Sequence, residues 1–247
     1  IAISEINQAF EEEKNVLLHG VTSSGKTHIY LEKIEDCVNS GKNVLLLLPE
    51  IALTKQITIR LEKKYGKKLG FYHNKLTDFE RVEVWKKIKN NELQILIGTR
   101  NSLFLPFENL GLIIVDEPTA GLDPGERNRF YNILSEIGEN IIVILSTHIV
   151  QDVRELCTRM AIMDNGKVLF SGNTDDALLA VKGKIWEKKV EKTEFQHYQN
   201  DFKIVSNKLV GGKPLIHVFS EEPLNSGFVT AEETLEDVFF AKINNLI

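Results

Sequence analysis

The stretch Gly20-Val21-Thr22-Ser23-Ser24-Gly25-Lys26-Thr27 sets the reading of the whole chain. It follows an apolar run, Val16–His19, and opens a helical pattern over Lys26–Asn39. A glycine-flanked loop between a strand and a helix can turn its backbone N–H groups inward around a phosphate, because no Cβ stands in the way. The helix N-terminus adds partial positive charge at the same place. In such a loop the Lys26 ammonium reaches the β- and γ-phosphates of ATP, and the Thr27 hydroxyl ligates Mg²⁺. Gly20 through Thr27 are therefore candidate ATP-binding residues, with Thr27 also a candidate metal ligand.

Outward from this loop, short apolar runs alternate with helical patterns. Val44–Leu48, Ile95–Gly98, Leu112–Val115, Ile141–Leu145 and Ala161–Met163 carry Val, Ile and Leu at consecutive positions, as do strands buried on both faces. Leu53–Tyr65, Asp78–Asn90, Pro124–Gly138 and Val150–Thr158 are spaced like amphipathic helices. The alternation predicts a mostly parallel sheet with helices on both faces. Asn165-Gly166 predicts a hairpin turn after the last of these runs. Asp116-Glu117 follow Leu112–Val115, at a strand's carboxyl end, where open α/β sheets bind ligands. Asp116 suits Mg²⁺ held through water and Glu117 suits polarisation of an attacking water, although the pair alone also suits a turn. His148 closes another such run and lies at the same sheet end, within reach of a γ-phosphate; a lone histidine there also fits a surface residue.

From about Lys184 the texture changes. Trp186–Val190, Phe202–Val205 and Leu215–Phe219 read as strands, Gly211-Gly212 as a turn, and Thr234–Asn244 as a closing helix capped by Thr234. Residues 184–247 are expected to form a small α+β appendage without chemistry of its own. The 247 residues are 43% hydrophobic and 26% charged, enough for one large or two small domains with a core. No apolar run reaches the roughly 20 residues of a membrane-spanning helix, no secretory signal pattern is present, and the chain is expected in the cytoplasm. Cys37 and Cys157, far apart, form neither a disulfide framework nor a zinc pattern and read as small buried hydrophobes. Residues 1–115 carry 16 Lys+Arg against 14 Asp+Glu, and residues 116–247 carry 14 against 21. Within 55–89 there are 11 basic residues against four acidic, which suits weak contact with nucleic acid and equally a solvated helix face.

Two resemblances follow. Leu17–Thr27, Leu48-Pro49-Glu50-Ile51-Ala52-Leu53-Thr54, Ile97-Gly98-Thr99-Arg100-Asn101-Ser102-Leu103-Phe104 and Pro106–Leu112 resemble the first motor lobe of the primosomal replication-restart (PriA) helicases, over about residues 14–115. That family continues Asp-Glu with Glu-His, where this chain has Pro118-Thr119. Asp116-Glu117-Pro118-Thr119-Ala120-Gly121-Leu122-Asp123-Pro124, Ser146-Thr147-His148, Arg159–Phe170 and Thr234–Phe239 resemble an exporter-type ABC transporter ATP-binding subunit, over 116–247. The chain thus reads as a hybrid joined within Leu110–Glu117. Both resemblances imply a RecA-like P-loop NTPase core, here 1–183, divided into 1–115 and 116–183. The second adds Asp123 to the nucleotide contacts and implies a membrane permease as partner, with a location peripheral to the inner membrane.

The signature loop of ABC ATPases, the second motor lobe of helicases and the zinc cysteines of the primosomal family are not found in these residues. The expected function is MgATP binding with slow hydrolysis, in which Glu117 and His148 act on water and γ-phosphate while Thr27 and Asp116 hold the metal. No ATP-sandwich homodimer is expected. The alternatives are a DNA-dependent helicase motor fragment and a nucleotide-binding hybrid without catalysis.

Overall fold

The computed structural model describes residues 15–20, 24–49, 56–117, 121–146, 157 and 159–247. The chain divides into two compact units, residues 1–171 and 172–247. In the first, β1 (Asn15–Gly20), β2 (Asn43–Leu47), β3 (Leu69–Tyr72), β4 (Ile95–Gly98), β5 (Leu110–Asp116), β6 (Ile142–Ser146), β7 (Arg159–Asp164) and β8 (Lys167–Asn173) form one sheet in the order β3-β4-β2-β5-β6-β1-β7-β8. Every pairing from β3 across to β7 is parallel. β8 returns from β7 through Asn165 and Gly166, whose φ values of 47° and 76° make the two-residue turn that matches strand twist.

Continuous apolarity produces these strands because both faces are covered. Leu45, Leu46, Ile95, Leu96, Ile97, Ile113, Ile114 and Ile144 are all fully buried. On one face, α1 (Lys26–Asn39) and α2 (Gln56–Tyr65) send Ile29, Tyr30, Ile34, Ile57 and Leu61 against Leu18, Leu46, Ile97 and Ile114. The alternate strand residues point to the other face, as the period of two requires. α4 (Pro124–Gly138) buries Phe130, Tyr131 and Leu134 outside that cluster, whereas α3 (Asp78–Lys89) buries Ile88 alone. Both cysteines are free; burial pushes the Cys157 thiol up to about 12 and the Cys37 thiol up to about 11.

The sheet has two more strands than the six that apolar runs predict. β3 is four residues long and carries Gly70, so it offers no run to detect; an added Cβ at Gly70 would lie 2.5 Å from Leu93 Cδ1. β8 is half-exposed along most of its length, so its composition is mixed. The helix predicted over Leu53–Tyr65 is described from Gln56 onward, and that over Val150–Thr158 lies outside the described residues except for Cys157.

The second unit holds α5 (Thr174–Leu179), β9 (Ile185–Lys189), α6 (Phe195–Asp201), β10 (Ile204–Val210), β11 (Lys213–Phe219), β12 (Val229–Thr230) and α7 (Leu235–Ile243). Its strands form an antiparallel sheet in the order β10-β11-β9-β12, over a core of Val190, Ile216, Val218 and Phe228. The unit begins twelve residues before the texture change at Lys184, because α5 packs against α7. Thr234 caps α7 reciprocally with Asp237, as its position predicts. β10 runs further than the predicted Phe202–Val205, since exposed Asn207 and Lys208 conceal its outer half in sequence. No helix among the described residues is long and apolar enough to cross a membrane.

Candidate functional site

β1 delivers the phosphate loop to the carboxyl edge of the sheet, and α1 leaves from it. Gly25, the N-cap of α1, has φ 102°, where a side chain would be strained and its Cβ would lie 3.2 Å from Gly166 Cα. A Cβ on Gly20 would lie 2.5 Å from Ser24 Oγ and 2.8 Å from the Met163 carbonyl oxygen. The Gly166 N–H donates to the Ser24 carbonyl at 3.0 Å, so the β7–β8 turn braces the loop. The Lys26 ammonium donates to the Gly20 carbonyl, folding back across the loop. Thr27 is exposed at the start of α1. Val21, Thr22 and Ser23 lie outside the described residues.

Two observations fit this loop to a phosphate-bearing ligand. Among the described residues no side chain caps the α1 N-terminus, and its first turn holds no acidic residue, so its N–H groups and dipole keep their positive character. Ser24 is 2% exposed, and among the described residues its buried hydroxyl finds no hydrogen-bond partner. A buried hydroxyl without a partner costs about 1–3 kcal/mol, which an anionic oxygen in the loop would recover.

β5 carries Asp116 and Glu117 to the same edge. β6 lies between β5 and β1, so the two carboxyl ends stand two strand spacings, about 10 Å, apart. Tyr30, one turn along α1 from Lys26, spans that gap: its hydroxyl donates to Asp116 Oδ1 at 3.3 Å. Burial, and then the Asp116 charge, raise the Tyr30 phenol well above its ordinary value, so it stays a donor. Glu117 is exposed, with φ 53°, and its N–H donates to the Ser146 carbonyl at 2.8 Å. That left-handed turn swings its carboxylate out of the strand line.

The other expected site residues are distributed differently. Asp123 Oδ1 accepts from the Glu126 N–H at 2.8 Å, a reciprocal cap for α4 with Pro124 in the first turn. His148 lies outside the described residues. On the far side of Asp116 from the phosphate loop, a pocket of ≈ 730 Å³ opens at the ends of β2, β4 and β5, lined by Pro49, Asn74, Thr99, Arg100, Asp116 and Glu117 among others. α3 starts beside it, where the Arg81 guanidinium donates to the Asn74 carbonyl at 3.0 Å. Along α3, Phe79 and Trp85 are 75% and 41% exposed, and the Lys89 ammonium lies 5.1 Å from the centre of the Trp85 ring. Part of the basic stretch is paired, Lys64 with Glu35 at 2.6 Å and Lys86 with Glu83 at 3.2 Å. The sequence reading passed over Tyr30; its one signal is a polar tip on the otherwise apolar face that Ile29 and Ile34 form on α1.

Comparison with known proteins follows this geometry. The replication restart protein PriA of Bacillus subtilis (strain 168) is 45% identical over 107 residues, covering 43% of this chain and 13% of the relative. PriA of Synechocystis sp. is 48% identical over 102 residues, covering 41% of this chain and 12% of the relative. The chain thus spans about an eighth of the length of these curated relatives. Among solved structures, the DUF1998 helicase MrfA bound to DNA shares the fold, with a TM-score of 0.50 and 19% identity over 67% of this chain and 25% of that one. The matches support the helicase resemblance of the N-terminal region and give no support to a transporter ATP-binding label for 116–247, or to a permease partner. A family model described as DEAD/DEAH box helicase matches residues 2–156, past the expected junction at Leu110–Glu117 and over more than half of the sequence; the chain belongs to that family.

Proposed function

We propose that the chain acts as a nucleotide-binding motor lobe of a PriA-like, DNA-dependent helicase. The observation that supports this best is the shared sheet edge: phosphate loop on β1, acidic pair on β5, and the pocket at β2, β4 and β5 beyond them. Gly20 through Thr27 hold the phosphates, and Lys26 leaves the Gly20 carbonyl to meet them. Thr27 and Asp116 hold Mg²⁺, which supplies charge neutralisation at the β- and γ-oxygens. Glu117, swung clear of β5, orients the attacking water, and His148 serves the γ-phosphate. A single lobe lacks a group reaching the γ-phosphate from outside, a contribution worth 10³–10⁵ in rate where an arginine finger supplies it. Hydrolysis by this chain alone is therefore slow.

DNA meets the lobe along the pocket and the adjoining α3, where Arg81, Lys86 and Lys89 flank the exposed Phe79 and Trp85. Stacking and phosphate contacts of this kind tolerate any sequence and weaken steeply with salt. ATP turnover with and without single-stranded DNA tests the proposal. A slow basal rate that Glu117→Gln abolishes, and that DNA raises at low salt, is expected. A rate untouched by Glu117→Gln, or by DNA at any salt, would contradict it.

A further inference from the structure

We propose that Tyr30 is a positioning residue that fixes the Asp116 carboxylate for Mg²⁺ and so sets the metal affinity of the site; this rests on the MgATP reading above. Here the Tyr30 hydroxyl donates to Asp116 Oδ1 at 3.3 Å, so one phenol links α1 and β5. Tyr30 follows Thr27 by three residues on α1, which places both on one side of that helix. The phenol therefore ties one proposed metal ligand, Asp116, to the helix that carries the other.

The ring and the hydroxyl have separable duties. The ring belongs to the apolar cluster with Ile29, Ile34 and Ile114 and is 3% exposed. A purely structural tyrosine in that cluster would need no partner at the catalytic edge, and phenylalanine would fill the same volume. The hydroxyl is instead spent on the proposed ligand. Partners that orient metal ligands typically cost about 10–100-fold in metal affinity when removed. Tyr30 is neither a ligand nor in contact with substrate, so its loss is expected in the metal dependence of binding and not in the intrinsic affinity for nucleotide.

The test uses the full chain and a fluorescent ATP analogue, titrated in EDTA and then across Mg²⁺ concentrations. Tyr30→Phe is expected to leave metal-free affinity within about twofold while raising the Mg²⁺ concentration for half-saturation about tenfold. In an Asp116→Asn background the same substitution is expected to add nothing, because the group it positions is gone. Tyr30→Met, which fills the apolar site without a hydroxyl, is expected to shift half-saturation in the same direction and decides the matter if Tyr30→Phe fails to fold. A wild-type half-saturation in Tyr30→Phe or in Tyr30→Met, or an additive effect in the Asp116→Asn background, overturns the inference while leaving MgATP binding intact. A wild-type chain that binds no nucleotide overturns the underlying reading and the inference with it.

Discussion

Gly25 and Glu117 both stand in left-handed backbone at the site, at φ 102° and φ 53°. For Gly25 the conformation strains any side chain, and a Cβ 3.2 Å from Gly166 Cα would have to push that backbone aside by a few tenths of an ångström. Gly25→Ala is expected to cost about 1–2 kcal/mol, read as a lower urea midpoint, and to weaken MgATP binding by more than tenfold because the loop can no longer close. For Glu117 the strain is borne by a residue proposed to act on water, a common location for such backbone. Glu117→Gln keeps the backbone and the phosphate contacts, so nucleotide affinity is expected to hold while turnover disappears. At this scale the sequence was legible where chemistry is written into local spacing. Gly20, Gly25, Lys26 and Thr27 follow from one strand–loop–helix pattern. Tyr30 does not, because its partner lies 86 residues away on another strand and only the sheet order brings them together.

Among the elements, α4 and α7 show how helix ends are secured. Asp123→Ala removes the cap of α4 and is expected to cost about 1 kcal/mol in thermal or urea unfolding, with MgATP affinity unchanged, since the carboxylate is engaged by the Glu126 N–H. In the second unit, Asp237 of α7 is fully buried and its Oδ1 lies 2.9 Å from His217 Nδ1 and accepts from Ser206 Oγ at 3.0 Å. The hydrogen bond to Asp237, helped by the Asp237 and Glu187 charges, raises His217 above its ordinary 6.5 against the opposing pull of burial and Lys208. Burial pushes the Asp237 carboxyl up, but His217 and Thr234 outweigh it and hold the group below its ordinary 3.8. The His217 contribution is complete below 6.5 and is lost as pH rises through the higher folded value; the Asp237 contribution is complete above 3.8 and is lost as pH falls through the lower one. Thermal stability of the second unit is thus expected to be greatest between those values and to decline on the alkaline side. Asp237→Asn should remove that decline and cost about 3 kcal/mol; a melting curve against pH checks both. Thr234 and Asp237 were legible as a cap, but the histidine was not, because it comes from a strand 20 residues away.

Across the first unit, strands from both sides of residue 116 share one sheet. β1, from the N-terminal part, lies between β6 and β7, both from beyond residue 116. β5 is in register with β2 on one side and β6 on the other, Ile113 opposite Leu45 and Val143. A chain ending at Val115 would leave β1 without either neighbour, so it is expected to show no cooperative unfolding, whereas the full chain does. The fold class was legible from the alternation of runs and helices, but this strand order was not, because hydrophobic pattern reports burial and not which strand lies beside which.

The central claim is that this sheet edge binds MgATP through the phosphate loop, and an equilibrium titration of the full chain with MgATP, beside Lys26→Ala, addresses it most directly. Saturable, Mg²⁺-dependent binding is expected, accompanied by about 2.7 kcal/mol of added stability at 100 times Kd. Lys26→Ala, folded to the same extent without ligand, should lose at least tenfold in affinity and most of that stabilisation. No binding at millimolar MgATP, or equal binding by Lys26→Ala, would contradict the claim.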